Sequence, residues 1–267
     1  MQNERATIDE RMKGSLAVVT GAARGQGLEE ARLFARHGAK VILADVLETD
    51  GEAAAAAMRA DGLDVRFQRL DVTDAAQWEA IVTTAREWAG RIDVLVNNAG
   101  IIRRKTIAQS TIEDWSAVIG VNLTGAFLGI KAVAPLMAAG GGGAIVNISS
   151  NSGFSGHPDP AYTASKWGLR GLARSAALEF ASARIRVNSV CPGLVVTDLN
   201  RNAPHLKSML DLTPAGRAVE VSEVASLVYF LASDDAAMIT GEDVVIDGGF
   251  VMGAAYRKTA LDAGSYS

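Results

Sequence analysis

The chain has 267 residues, 49% of them hydrophobic and 21% charged, with a formal net charge of −4. That length fits one α/β domain with a sizeable core, and an acidic balance without a basic stripe excludes nucleic acid as the main partner. The apolar runs read as too short, and too often broken by glycine or polar residues, to span a bilayer, so no membrane is expected as a partner.

Residues 1–13 are polar and mixed in charge, without the apolar stretch of a signal peptide. They read as a flexible N-terminal arm of a cytoplasmic protein. From residue 14 onward, short β-branched runs alternate with Ala-rich stretches of helical period. Strands are expected at 16–20, 40–45, 65–68, 93–97, 144–149, 184–191 and 243–246. Helices are expected at 25–37, 49–60, 74–89, 112–139, 162–181 and 221–232. Seven strands alternating with six helices predict a single Rossmann-type doubly wound domain over 14–255, with a seven-stranded parallel sheet covered on both faces. The irregular piece 194–217 follows a strand's carboxyl end and reads as a substrate lid. Residues 256–267 read as a C-terminal tail.

The first strand runs into Thr20-Gly21-Ala22-Ala23-Arg24-Gly25-Gln26-Gly27, which opens the first helix. Glycines let the backbone turn sharply and approach a pyrophosphate, and the helix N-terminus offers N–H groups to the anion. Asp45 ends the second strand, where a carboxylate can accept hydrogen bonds from adenosine ribose hydroxyls and repel a 2′-phosphate. Arg24 pulls the other way, since a basic residue in this turn could hold that phosphate. Asp45 weighs more, so NAD is expected over NADP. Asp71-Val72 follows the third strand and borders the expected adenine site; the competing reading is that Asp71 caps the next helix. Asn97-Asn98-Ala99-Gly100 ends the fourth strand at the same edge, where small residues admit a cofactor and asparagines can tie strands together.

Tyr162-Thr163-Ala164-Ser165-Lys166 places a phenol and an ammonium one helical turn apart on one face. A lysine beside a tyrosine favours the phenolate, which suits proton transfer. The single cysteine, Cys191, cannot form an internal disulfide and reads as a small buried residue at a strand end. His37, His157 and His205 show no metal-ligand spacing, so no metal is expected.

These pieces together resemble the short-chain dehydrogenase/reductase family in its compact single-domain branch. The resemblance rests on Thr20 to Gly27, Asp45, Asn97 to Gly100, Asn122, Ser149-Ser150, Tyr162 with Lys166, Pro192-Gly193, Thr197 and Asp247-Gly248-Gly249, in family order across nearly the whole chain. The segments VILADV from Val41, AYTASKWGLRG from Ala161 and RIRVNSVCP from Arg184 look most like bacterial NAD-dependent hydroxysteroid and cyclic-alcohol dehydrogenases.

The resemblance implies an NAD(H)-dependent oxidoreductase that interconverts a secondary alcohol, cyclic or steroidal, and its ketone. Tyr162 would be the general acid/base. Lys166 would lower its pKa and hold the nicotinamide ribose. Asn122 would anchor a water on a proton path from Lys166. A serine would bind the substrate oxygen. Counting back thirteen residues from Tyr162 reaches Ser149, whereas alignment on Gly153 and Gly156 reaches Ser150. The glycines are followed here, because a one-residue deletion in the His157–Pro160 loop is easily tolerated. Gly21, Arg24, Gly25, Gln26, Gly27, Asp45, Asp71, Val72, Asn98, Ala99, Gly100, Tyr162, Lys166, Pro192, Gly193, Val195 and Thr197 would line the cofactor. The four apolar lid residues Leu199, Leu206, Met209 and Leu210 suit an apolar substrate or simply pack a small lid helix. The long helices 112–139 and 162–181 would form a dimer contact within a homotetramer. A sugar-alcohol or polyol dehydrogenase is the alternative, and a non-catalytic NAD-binding module a further one. Nucleotide-sugar epimerisation is disfavoured by the glycine spacing and the short C-terminal region. Enoyl reduction is disfavoured by the Tyr–Lys spacing.

Overall fold

The computed structural model describes residues 10–196 and 206–265. Seven parallel strands form one sheet: β1 Leu16–Thr20, β2 Lys40–Asp45, β3 Val65–Arg69, β4 Val94–Asn97, β5 Gly143–Ile148, β6 Ile185–Pro192 and β7 Asp243–Ile246. Their order across the sheet is β3-β2-β1-β4-β5-β6-β7. The chain winds outward one way from β1 and then the other way from β4. A crevice therefore opens between these two strands at the carboxyl edge, where such sheets bind ligands.

The helices are α1 Gly25–Arg36, α2 Glu48–Ala60, α3 Ala75–Ala89, α4 Ile112–Ile119, α5 Gly125–Ala139, α6 Pro160–Phe180, α7 Leu206–Leu212, α8 Val221–Ala232 and α9 Phe250–Asp262. Side chains on a strand alternate faces, and β1 shows the consequence. Ala17 and Val19 join a core with Phe34 of α1 and Val224 and Val228 of α8. Leu16 and Val18 join a second core with Trp78 and Ile81 of α3 and Met137 of α5. Because both faces are covered, all five residues of β1 are buried. That is why the strand reads as a continuous apolar run.

Three features depart from the sequence-based expectation. The segment expected as one helix over 112–139 is interrupted by a π-helical turn, Gly120–Thr124, which contains Asn122. Such turns insert an extra residue without ending the helical path, so the apolar period hides them. Second, Ile112–Ala139 is long and apolar enough, by length and composition alone, to cross a bilayer, with a mean hydropathy of 1.7 over its best window. In the fold it instead lays Val118, Ile130, Val133 and Met137 against neighbouring elements as buried residues. Third, α9 runs continuously through residue 255, where the tail was expected to begin. Asp247 caps it, with Oδ1 accepting the Gly249 and Phe250 amides at 2.9 and 3.1 Å and Oδ2 accepting the Val251 amide at 2.8 Å. Residues 1–9 of the N-terminal arm and residues 197–205 of the lid, including Thr197 and Leu199, lie outside the described residues, as does His205.

Candidate active site

The glycine-rich turn is shaped by one asparagine. Gly21 has φ +65°, and a Cβ there would stand 2.9 Å from Asn98 Nδ2. A Cβ on Gly27 would come within 2.4 Å of both Asn98 Nδ2 and the Gly21 carbonyl oxygen. Any side chain at either position therefore displaces Asn98. That amide ties β4 to the turn, donating to the Thr20 and Gly21 carbonyls at 2.9 and 3.2 Å and accepting from Gln26 Nε2 at 3.3 Å. The Thr20 hydroxyl accepts the Asn98 and Ala99 amides at 3.0 and 3.1 Å, which locks the same junction. Arg24 stands at the N-cap of α1, and its exposed side chain makes no cap hydrogen bond. The first turn of α1 thus has no side chain covering its N–H groups, which fits an anion such as a pyrophosphate.

Asp45 sits at the carboxyl end of β2 as expected. Its Oδ2 accepts the Ala23 amide at 3.0 Å and its Oδ1 the Leu47 amide at 3.0 Å, so the carboxylate braces the turn from the end of β2. Asp71 does not cap α3. The cap is Asp74, whose Oδ1 accepts the Ala76 and Gln77 amides, whereas Asp71 accepts the Thr73 amide and hydroxyl at 3.0 and 2.7 Å. The Val72 side chain is buried and fills the space above Gly125, where a Cβ would meet it at 2.6 Å. Asn97 donates to Asn147 Oδ1 at 2.8 Å and ties β4 to β5, a structural role.

Tyr162 and Lys166 ride on α6, which begins at Pro160 behind its N-cap Asp159. They line a cavity of about 330 Å³ at the carboxyl edge of the sheet, together with Gln26, Asn98, Gly100, Ser150, Pro192, Gly193, Val195 and Met209. Lys166 is buried, donates to the Ile148 carbonyl at 2.8 Å, and has its Nζ 5.5 Å from the Tyr162 ring centroid. Burial brings the Lys166 ammonium down to about 8. Burial also pushes the Tyr162 phenol up, while a hydrogen bond with Ser150 and the charge of Arg104 work in the opposite direction. Desolvation outweighs both, and Lys166 is not among the groups that lower the phenol in this state.

The two serines separate. Ser149, buried just after β5, turns its hydroxyl to the Lys166 carbonyl at 2.9 Å. Ser150 accepts the Ser152 amide at 3.1 Å, donates to Asn151 Oδ1 at 3.3 Å and lines the cavity with Tyr162. Asn122 is buried in the π-helical turn. Its Oδ1 accepts the Ile101 amide at 2.8 Å, and its Nδ2 donates to the Ile101 carbonyl at 3.0 Å and the Ser165 hydroxyl at 3.1 Å. It thereby joins the β4 loop to the helix bearing Tyr162 and Lys166. Pro192 ends β6, and Gly193 donates its amide to the Ile246 carbonyl at 2.9 Å. Cys191 is buried as expected, its thiol pushed up to about 11 by burial.

Sequence reasoning missed Asp159 and Arg104. The signal for the first was present: an aspartate before a proline at a helix start is a standard N-cap pattern. For His157 the sequence gives a loop position and no metal-ligand spacing. His157 lines the cavity with its ring 5.5 Å from that of Tyr162. Among the described residues, no group of three or more His, Cys, Asp or Glu side chains is arranged to hold a metal ion.

Residues 21–251 match the family described as enoyl-(acyl carrier protein) reductase. The chain is 42% identical over 260 residues to a trans-4-hydroxycyclohexanecarboxylate dehydrogenase of Sinomonas cyclohexanicum, covering 95% of this chain and 99% of that protein. It is 45% identical over 248 residues to a 3-alpha-(or 20-beta)-hydroxysteroid dehydrogenase of Mycobacterium bovis, covering 92% of this chain and 93% of the relative. Among solved structures, a gluconate 5-dehydrogenase from Burkholderia cenocepacia in complex with NADP and tartrate superposes with a TM-score of 0.86. It is 34% identical and covers 93% of this chain and 99% of its own.

Proposed function

The chain belongs to the short-chain dehydrogenase/reductase family as an alcohol dehydrogenase/ketoreductase, and we propose that it interconverts a cyclic secondary alcohol and its ketone with NAD(H), using Tyr162 as general acid/base. The observation that carries this reading is the convergence of Tyr162, Ser150 and Lys166 on one cavity beside the glycine-rich turn. Family members use a nicotinamide cofactor. The bound nicotinamide supplies a hydride acceptor for oxidation and a donor for reduction.

In the oxidation direction, the alcohol carbon loses a hydride and its hydroxyl loses a proton, leaving the ketone. Tyr162 takes that proton on its phenolic oxygen. Ser150 orients the substrate oxygen by hydrogen bonding. Lys166 sits where its charge stabilises the ionised phenol once a neighbour relieves its burial, and it would hold the nicotinamide ribose. Asn122 holds the loop and helix together behind them, and the proton path to solvent is assigned to this side. Gly21, Gly25, Gln26 and Gly27 would receive the pyrophosphate, with Asp71, Val72, Asn98, Ala99 and Gly100 along the adenosine side and Pro192, Gly193, Val195 and Thr197 at the carboxamide.

NAD is preferred over NADP on the strength of Asp45, although the gluconate 5-dehydrogenase relative holds NADP. The Asp45 carboxylate is fixed by the Ala23 and Leu47 amides, so it cannot swing away from a 2′-phosphate without losing both bonds. The relatives' named substrates include a cyclic hydroxy acid and hydroxysteroids, which supports a cyclic alcohol here. A polyol is the second reading, favoured by the gluconate enzyme alone. Exposed apolar side chains on α4, α5 and α6, among them Ile112, Trp115, Phe127 and Trp167, support the helical dimer contact of a homotetramer. The test is NADH production from NAD⁺ with a panel of cyclic alcohols, steroids and polyols. Turnover of cyclic alcohols supports the reading, and turnover of polyols alone replaces it.

A further inference from the structure

Three cations follow one another along the loop at the mouth of the cavity: Arg103, Arg104 and Lys105. The outer two share a carboxylate. Asp114 lies 2.7 Å from Lys105 Nζ and 3.8 Å from Arg103 Nε. Arg104, between them, has no ion pair among the described residues, and it lines the cavity with Tyr162, Ser150 and His157. Its charge acts on the Tyr162 phenol.

The backbone of Arg104 is also unusual. Its φ is +56°, and among the described residues only Arg184 is another non-glycine with positive φ. This left-handed conformation is strained for a residue with a Cβ. The cost is met locally. Oδ2 of the buried Asp159 accepts the Arg103 and Arg104 amides at 2.8 and 2.9 Å, while its Oδ1 accepts the Tyr162 amide at 3.0 Å. The carboxylate that starts the Tyr162 helix thus also fixes the strained residue opposite it. Strained residues persist where their surroundings over-determine them, and they gather at ligand sites. An exposed arginine on a surface loop is usually just solvated. This one is held in a costly conformation at the cavity, without a carboxylate of its own, between two cations that have one.

We propose that Arg104 is an anion subsite for the substrate, so that the natural alcohol or ketone carries a carboxylate, gripped by this guanidinium while its carbinol carbon reacts at Tyr162. The inference rests on the alcohol–ketone reading above and narrows its substrate class. A guanidinium fork matches the two oxygens of a carboxylate and supplies two parallel charged hydrogen bonds. The subsite positions the ring and takes no part in proton transfer.

The test compares cyclohexanol with hydroxycyclohexanecarboxylates as substrates, and measures binding of cyclohexanecarboxylate to the enzyme–NADH complex by calorimetry. Wild type, Arg104→Gln and Arg104→Lys are used, each checked for its circular dichroism spectrum and NADH affinity. Wild type is expected to favour the hydroxy acid in kcat/KM. Arg104→Gln should reduce that preference about 10- to 100-fold, mainly through KM, as expected for loss of a charged hydrogen bond, and Arg104→Lys should fall between. Added salt should erode the wild-type preference and leave the Gln variant's ratio flat. An acid-to-alcohol ratio unchanged in a folded, NADH-binding Arg104→Gln protein overturns the subsite. So does a wild type that shows no preference for the acid. If neither alcohol turns over yet the carboxylate binds in an Arg104-dependent way, the alcohol–ketone reading fails and the anion subsite stands.

Discussion

The Asp159 carboxylate accepts the Tyr162 amide at 3.0 Å, which places the proposed acid/base on the first turn of α6. Burial raises the Asp159 pKa, but the amides of Tyr162, Arg103 and Arg104 outweigh it and hold the carboxyl below its ordinary range. A depressed carboxyl contributes stability that is present above its unfolded pKa and is lost as the pH falls through the folded value. Asp159→Ala removes a helix cap and two loop hydrogen bonds. It should cost about 1–3 kcal/mol in denaturant unfolding and lower kcat as well, because the loop and the helix are no longer held to each other. The destabilisation should shrink as the pH falls toward the acid range.

Lys166 gives a second pH-dependent signature. Its folded pKa is about 8, below the ordinary lysine value, because it is buried. Between these two values the unfolded state binds more protons than the folded one, so stability without cofactor rises with pH across that window, by at most about 1.4 kcal/mol per pH unit. Below the window both states are protonated and the burial cost is constant. In Lys166→Met this rise should disappear. Thermal unfolding from pH 7 to 10 checks it, and an unchanged slope in the variant refutes the assignment.

The serine pair offers a test of the proposed substrate-binding role of Ser150. Ser149→Ala loses the bond to the Lys166 carbonyl and should cost about 1 kcal/mol of stability. Its turnover should fall only slightly. Ser150→Ala should keep its stability within that margin and lose roughly 100-fold in kcat, the usual scale for removing an oriented hydrogen bond to developing charge. Steady-state kinetics beside unfolding curves show which serine serves the substrate.

The proposed cofactor preference rests on Asp45. Wild type should use NAD at least about 50-fold better than NADP, since facing a phosphate with a fixed carboxylate costs several kcal/mol. Asp45→Asn keeps the shape of the residue and should reduce the ratio at least about tenfold, chiefly by improving NADP. Asn keeps one acceptor oxygen for the Ala23 or the Leu47 amide, so the turn stays partly braced and the variant should still bind NAD. Dissociation constants for both cofactors decide the point.

The strands and most helices were legible because their signal is periodic. β1, β2, β7 and α8 have the expected bounds, and β1 and the middle of β2, buried on both faces, read as unbroken apolar runs between turn residues. The site was legible where chemistry requires a particular residue: the glycines packed against Asn98, the carboxylate after β2, and the Tyr–Lys step. What stayed hidden was non-periodic or non-local. The π-helical turn at Asn122 inserts a residue without altering the apolar pattern. The left-handed backbone of Arg104 depends on Asp159, 55 positions away in sequence. The pKa balance at Tyr162 is set by burial, which only the folded packing determines.

The most direct test of the central claim is Tyr162→Phe, with cofactor affinity and turnover measured on the same preparation. The phenolic oxygen is assigned the proton transfer and no part of the glycine-rich turn. The variant should therefore bind NADH within about threefold of wild type and lose about 10²–10⁴-fold in kcat with any alcohol the wild type oxidises. Turnover retained near the wild-type rate, with NADH binding intact, would contradict the assignment of Tyr162 as the acid/base.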